Sequence, residues 1–345
     1  MKTIKDIAAL ANVSIGTVDR VIHNRSGVSK KTKERIEKII KEHNFQINKT
    51  ARTLALNKKY DIAVLMPGIE SSSDFWYLPK MGIEKASEEF EMHRISISYF
   101  HFKPLDFNSF KTAFDKLLDN SFDAVLLTPI FLNEAKERLI QLDKRKTPYV
   151  FFNVELQETN YISYIGQHSF DSGTLAAKLM SLLIDNENEI LIIKVRKNRN
   201  HHSAIDDRIS GFKSYFKSYT PPIKIHEVIL PNIKNQEAIN TLIFKELTNH
   251  KIKGLFVPSS KVTIVANYLE TYKLEGLKLI GFDLSEENID FVKNETIDFL
   301  IDQSPFYQGY ESTKILFNFI INDVIPEKNR YLPIKLLTKE NVKYL

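Results

Sequence analysis

From Tyr60 onward, apolar runs of strand length alternate with helical stretches: IAVLM, RISISYF, AVLLT, YVFFN, YISYI, EILIIKV, IKIHEVIL, GLFV, LKLIGFD and IDFLID. Such a rhythm predicts α/β architecture, with parallel sheets covered by helices on both faces. Strand ends at Pro67, Thr128, Asn153, Pro258 and Asp283 then face the crevice outside the carboxyl edges of the sheets, where folds of this kind bind ligands. At 345 residues and 43% hydrophobic content the chain has ample core for two or three domains.

The first 60 residues follow a different pattern. They hold 14 Lys and Arg against 5 Asp and Glu, a balance of +9, so the +5 of the whole chain leaves −4 for the remainder. A basic head on a mildly acidic body favours a polyanion partner at the head, since phosphate neutralisation supplies most non-specific affinity for nucleic acid. Thr3 can cap a short amphipathic helix bearing Ile4, Ile7, Ala8 and Ala11. Ser14 can cap a second with Val18, Val21 and Ile22 inside, and Ser29 a third that buries Val28, Ile36, Ile39, Ile40 and Phe45. Helix, tight turn and second helix is the arrangement that lays the second helix in the DNA major groove. Ile15, Gly16 and Thr17 then become the reading residues, with Arg20 one turn later able to fork onto guanine or clamp a phosphate. Thr3, Ser14, Asn24 and Arg25 are placed for phosphates. A generic three-helix bundle kept soluble by its basic residues would account for Arg20 alone equally well.

Residues 3–56 go further, because they closely resemble the LacI/GalR family of bacterial repressors. Val13-Ser14, Thr17-Val18, Arg20-Val21, Val28-Ser29, Thr32, Asn48, Ala51-Arg52 and Leu54 match the family pattern, whereas Asp19, His23 and Ile47 depart from its usual Ser or Ala, Asn and Pro. Asp19 puts a carboxylate beside phosphates, which is repulsive unless Arg20, Arg25 or another cation pairs with it. The resemblance makes 48–59 a hinge helix and linker. In it Asn48, Ala51 and Leu54 meet DNA, and Leu54 wedges into the minor groove together with its copy from a second chain.

The same resemblance implies a fold of two parts. A small all-α helix-turn-helix DNA-binding domain at 1–47 precedes an α/β two-lobed, periplasmic-binding-protein-like domain with parallel sheets at 60–345. It implies crossings between lobes near 154–161, 283–290 and 323–331, giving lobe 1 as 60–157 with 287–324 and lobe 2 as 158–286 with 325–345. Phe75 and Trp76 match residues that stack on a ligand, and Asn153, Arg208, Ser259, Asp283 and Gln303 match polar contacts. Local alternatives remain for several of these: Trp76 in a core, Arg208 paired with Asp206 or Asp207, Asp283 capping the helix begun by SEEN. Where sugar binders often carry further polar residues this chain has Ile130 and Phe131 after Pro129, and Ser259 with Ser260 after Pro258, which counts against a simple pentose and allows something more apolar.

Absences complete the reading. Cys is missing, so disulfides, thiolate metal sites and Cys nucleophiles are excluded. There is no phosphate-binding loop, dinucleotide fingerprint, nucleophile elbow or zincin motif, and no enzyme, cofactor or metal is expected. The adjacent His201 and His202 and the basic run Lys194, Arg196, Lys197 and Arg199 read as exposed surface. The opening MKTIKDIAALANVS lacks an export signal, and the greasiest segment, Ile315 to Ile321, is broken by Asn318, so a cytoplasmic protein without membrane contact is expected. The expected function is a dimeric, ligand-responsive repressor on a pseudo-palindromic operator, sensing a sugar or sugar derivative. A solute-binding protein for transport or chemotaxis is the alternative, and an enzyme that kept the fold is the third.

Overall fold

The computed structural model describes residues 4–22, 25–43, 59–104, 106–195, 203–230 and 235–344. Contacts divide the chain into two units, 1–58 and 59–345. Thr3, Asn24, Asn48, Ala51, Leu54 and the hinge lie outside the described residues, as do Arg196, Lys197, Arg199, His201 and His202.

In the first unit α1 (Ile4–Leu10), α2 (Ile15–Ile22) and α3 (Lys30–Glu42) close one small core of Ile7, Ala8, Ala11, Val18, Val21 and Ile36. Asn12, at φ 48, makes the turn between α1 and α2, while the Val13 amide bonds back to the Ala8 carbonyl at 3.0 Å. Ser14 and Ser29 cap the next two helices: Ser14 Oγ accepts from the Thr17 amide at 3.1 Å and Ser29 Oγ from the Thr32 amide at 3.3 Å. These two helices therefore start where their capping serines stop the turn before them.

In the second unit β1 (Tyr60–Pro67), α4 (Tyr77–Glu89), β2 (Ile95–Phe102), α5 (Phe107–Leu118), β3 (Ala124–Leu127), α6 (Leu132–Arg145), β4 (Tyr149–Phe152) and β5 (Tyr164–Gly166) come first. Next are α7 (Ser169–Leu183), β6 (Glu189–Val195), α8 (Ser203–Phe216), β7 (Ile225–Leu230), α9 (Gln236–Asn249), β8 (Ile252–Phe256), α10 (Val262–Thr271), β9 (Lys278–Phe282), α11 (Glu286–Lys293) and β10 (Phe299–Asp302). The chain ends with α12 (Pro305–Asn322), β11 (Asn329–Tyr331) and β12 (Lys335–Leu337). Among the described residues the strands form two six-stranded sheets, ordered β11-β5-β4-β3-β1-β2 and β12-β10-β9-β8-β6-β7. All pairings are parallel except β10 with β12.

Period-two alternation sorts each strand onto two cores. In the first sheet Ala63 and Leu65 of β1 face Phe110, Phe114 and Leu139, whereas Ile62, Val64 and Met66 face Ile83, Leu316 and Phe317. In the second, Leu191 and Ile193 of β6 face Ile239, Val265 and Val292, while Ile190 and Ile192 face Met180, Ile209 and Phe212. Each fully buried Leu, Ile or Phe contributes about 1.5–3 kcal/mol by leaving water.

Sheet membership corrects the expected lobe boundaries. β5 still pairs with β4, α11 leads into β10 beside β9, and β11 pairs with β5, so the chain passes between sheets at Gln167-His168, Gln303-Ser304 and Leu332-Pro333-Ile334. All three crossings fall later than 154–161, 283–290 and 323–331. Hydrogen bonds tie them together: Gln167 Nε2 donates to the Asp302 carbonyl at 2.8 Å, and the Leu332 amide to the Gly166 carbonyl at 2.7 Å. Pro333, with no amide proton, lies where the tail leaves one sheet for the other.

Candidate effector cleft and reading helix

Four of the seven expected ligand residues, Asn153, Arg208, Asp283 and Gln303, are buried polar groups; Asn153 and Asp283 lie at the carboxyl ends of strands, Gln303 at a crossing and Arg208 on α8. Asn153 follows β4 and Asp283 follows β9, and the two are built alike. Each takes a left-handed conformation, φ 67 and φ 69, and each amide bonds to the strand beyond, to Ile165 and Ile301 respectively, at 3.0 Å. Asn and Asp are the side chains that tolerate that backbone outside glycine.

Arg208 reaches this region from α8. Its Nη1 donates to the Pro258 carbonyl at 3.0 Å, its Nη2 to Gln303 Oε1, and its guanidinium carbon lies 4.1 Å from the centre of the Phe282 ring. Gln303 Nε2 in turn donates to both Asp283 oxygens, so the amide bridges the cation to the carboxylate. The chain continues into lobe 1, where Gln308 Nε2 donates to the Gln303 carbonyl at 2.9 Å and Asn153 Nδ2 to Gln308 Oε1 at 3.1 Å. Helix packing fixes the height of Arg208: a Cβ on Gly173 of α7 would lie 1.9 Å from the Arg208 carbonyl oxygen, so only glycine admits this approach.

Burial sets the electrostatics. It pushes the Asp283 carboxyl up to about 7, against the opposing pull of Arg208 and the Gln303 hydrogen bonds. Burial likewise raises Asp302, opposed by the Ser304 amide, and raises Asp207, where repulsion from Asp206 adds to it. Arg208 is shifted down by burial and supported chiefly by Asp283. Three buried polar atoms here, Arg208 Nε, Thr128 Oγ1 and Gln167 Oε1, make no hydrogen bond among the described residues.

The remaining expected residues sit at the margin. Trp76 is half-buried between both cores of lobe 1, edge-on to Phe75 at 4.9 Å and to Phe152 at 6.3 Å. Ser259 is half-buried and only weakly engaged, its Oγ accepting from the Lys261 amide at 3.4 Å. Ile130 and Phe131 pack in the lobe 1 core, with Phe131 5.4 Å from Phe110, which removes their weight as an argument for an apolar ligand. Asp283 does not cap α11; Ser285 does, accepting from the Asn288 amide at 3.1 Å.

The sequence reading missed Gln167, Asn288, Asp302, Ser304 and Gln308, all buried here. Asn288 is fully enclosed and its Nδ2 donates to the Asp283 carbonyl at 3.0 Å and the Ser260 carbonyl at 3.3 Å, binding the two strand-end loops together. A cavity of about 420 Å³ bordered by Ile315, Asn318, Val324 and Arg330 lies instead at the far end of α12. The strand-end arrangement offers donors, acceptors and a ring face. It can grip a polar ligand.

On the head, α2 buries Val18 and Val21 and turns Ile15, Gly16 and Arg20 outward, with Thr17 partly covered by Ser14. Asp19 does not stand unneutralised, because Arg25 Nη1 lies 3.4 Å from its Oδ2. Gly27, at φ 100, leaves room for the Arg20 guanidinium; a Cβ there would stand 2.9 Å from Nη1.

A helix-turn-helix head followed by a two-lobed α/β body with a polar site at its strand ends defines a class: DNA-binding regulators that carry a solute-binding domain. Residues 3–48 match the model of bacterial regulatory proteins of the lacI family, and residues 62–322 match the periplasmic binding protein domain. The chain belongs to the LacI family of transcription regulators, with a periplasmic-binding-protein body. It is 24% identical to the ribose operon repressor of Lactococcus lactis, over 99% of this chain and 98% of that protein. Identity to the HTH-type transcriptional regulator RegA of Clostridium acetobutylicum is 27%, over 99% of each chain. A solved structure from Bacteroides fragilis described as a LacI transcriptional regulator superposes with a TM-score of 0.77 at 29% identity, covering 84% of this chain and all of that one. A glucose-galactose binding protein from Geobacillus stearothermophilus shares the body fold, with a TM-score of 0.72 at 17% identity, over 82% of this chain and 99% of its own. The head binds DNA, the body binds a small-molecule effector, and the protein is a regulator, not an enzyme. No helix among the described residues is long and apolar enough to cross a membrane.

Proposed function

We propose that this regulator is a homodimeric repressor whose effector, a sugar or sugar derivative, sits between the lobes against Phe75, Trp76, Asn153, Arg208, Ser259, Asp283 and Gln303. The observation that carries the reading is the hydrogen-bonded chain Arg208, Gln303, Asp283, which runs beside a crossing and continues through Gln308 to Asn153 on the other lobe. A ligand with several hydroxyls supplies both donors and acceptors, and the unpartnered Arg208 Nε and Thr128 Oγ1 are groups such a ligand satisfies. The name of the Lactococcus lactis relative adds ribose to the first sugars to try.

The DNA half of the proposal has Ile15, Gly16, Thr17 and Arg20 reading bases and Thr3, Ser14, Asn24 and Arg25 holding phosphates. Asn48, Ala51 and Leu54 of two chains enter the minor groove of a pseudo-palindrome. The effector alters DNA affinity through its unequal affinity for two arrangements of the dimer. Calorimetric titration with a panel of monosaccharides and their phosphates, followed by operator gel shifts with and without each binder, tests both halves. Saturable binding of one sugar that changes operator affinity supports the reading. Indifference to every sugar, or binding that leaves DNA affinity unchanged, overturns it.

A further inference from the structure

At the end of the second sheet away from the strand-end site, three elements bring two histidines and a glutamate together. Glu189 opens β6 and His226 lies near the start of β7, the outermost strand of its sheet. Both fall on the face that α9 covers, in line with Leu191 and Val228, at the margin where the apolar pattern of that face gives way to polar residues. His250 follows the last turn of α9 and hangs over the same margin. The backbone holds this corner firmly, since the Glu189 amide donates to the Lys251 carbonyl at 3.0 Å and Glu189 pairs with Ile252.

We propose that Glu189, His226 and His250 form a binding site for a divalent transition-metal ion of the zinc class. One ligand atom from each lies within 4.8 Å of the other two. His226 Nε2 is 2.8 Å from Glu189 Oε2, and His250 Nδ1 is 3.8 Å from the same oxygen. Ligand atoms about 2.0–2.2 Å from one zinc ion stand a little over 3 Å apart, so closure draws His250 in toward Glu189 and His226. The imidazoles are stacked, with centroids 3.7 Å apart and planes 25° from parallel, and coordination turns one ring about its Cβ–Cγ bond so that both lone pairs converge.

A second feature favours metal over a bare hydrogen-bonded cluster. The other nitrogen of His250, Nε2, lies 3.7 Å from Glu246 Oε2, longer than a hydrogen bond, and the turn of the ring on coordination brings the two toward the carboxylate-on-histidine arrangement that orients a metal-bound imidazole. Lys224 Nζ, 3.3 Å from Glu189 Oε1, occupies only the oxygen turned away from the histidines. Two nitrogens and one carboxylate select zinc, nickel, cobalt or copper over magnesium and calcium, which prefer oxygen shells. The ion ties an edge strand to its neighbour and to a helix end, and so acts on the stability of lobe 2 without touching the effector cleft.

The test is titration of Zn²⁺ into EDTA-stripped, dialysed full-length protein, followed by calorimetry and thermal unfolding. One ion per chain at micromolar affinity or tighter, with a rise in Tm that EDTA reverses, is expected. His226→Gln, which keeps an amide to hydrogen-bond Glu189, and His250→Gln each abolish that binding while their metal-free Tm stays near the parent's. Glu246→Gln weakens it about 10–100-fold. The variant with both His201→Ser and His202→Ser binds as the parent does. Parent affinity weaker than micromolar, binding that survives His226→Gln, or binding lost in the His201 and His202 variant overturns the assignment.

Discussion

Gln303 Nε2 donates to both oxygens of Asp283, at 2.8 and 2.9 Å, while its own carbonyl oxygen accepts from Arg208. One neutral amide thus separates a buried cation from a buried carboxylate. The carboxylate bears the cost, because burial raises its pKa more than Arg208 and Gln303 lower it.

Stability should therefore fall as pH rises across a defined window. An unfolded Asp titrates at about 3.9, while folded Asp283 titrates at about 7, so between these values the folded state holds a proton that the unfolded state has lost. The group's stabilising contribution is complete below about pH 4 and is gone above about 7, with a slope of up to about 1.4 kcal/mol per pH unit. Urea unfolding at stepped pH should show this decline and Asp283→Asn should flatten it. A parent and variant with parallel pH profiles would refute the shift.

Gly173 offers a way to disturb the cleft without touching its polar groups. Its replacement by Ala places a methyl 1.9 Å from the Arg208 carbonyl oxygen, so α7 and α8 must part. Overpacking of this kind costs about 1–3 kcal/mol, and the displaced Arg208 loses its alignment on Gln303. Thermal unfolding should report the loss of stability, and calorimetry a weaker effector affinity. Ser172→Ala, next in sequence, removes only a hydroxyl that bonds the Ser169 carbonyl and should leave affinity near the parent's.

The head should fail independently of the body. Ile36 is fully buried in a core of only a few side chains, so Ile36→Ala is expected to cost about 2–5 kcal/mol, a large share of the stability of so small a domain. Operator binding should disappear while effector binding and the main unfolding transition remain. Loss of both activities together would show that the two units do not fold separately.

The particulars divide by how local their causes are. Ser14 and Ser29 were legible as caps because a serine three residues before its amide partner is written in adjacent positions, and the strand ends before Asn153 and Asp283 followed from apolar runs. Gln308 was not legible: a glutamine in the first turns of a helix looks like surface, and it is buried because its amide turns in to Asn153 and the Gln303 carbonyl, residues far from it in sequence or on the loop before the helix. The crossings were placed too early for a related reason. YISYI reads as a strand, of which only Tyr164 and Ile165 enter β5, and which sheet that strand joins depends on its pairing with Phe151 and Phe152, which the local pattern does not contain.

The pair Arg25 and Asp19 gives the prediction that bears most directly on DNA. Both side chains are substantially exposed and 3.4 Å apart, so their mutual attraction is worth at most about 1 kcal/mol to folding. Near a phosphate backbone the same carboxylate repels the DNA and detains an arginine otherwise free to meet it. Asp19→Asn should consequently leave Tm almost unchanged, tighten DNA binding several-fold at low salt, and steepen the slope of log affinity against log salt by about one unit as one more phosphate is neutralised. Fluorescence anisotropy over a salt series measures both quantities. Tighter binding with an unchanged slope would mean that relief of repulsion acts alone and Arg25 stays off the backbone, whereas weaker binding would mean that Asp19 positions Arg25 for its contact and the pair functions as a unit.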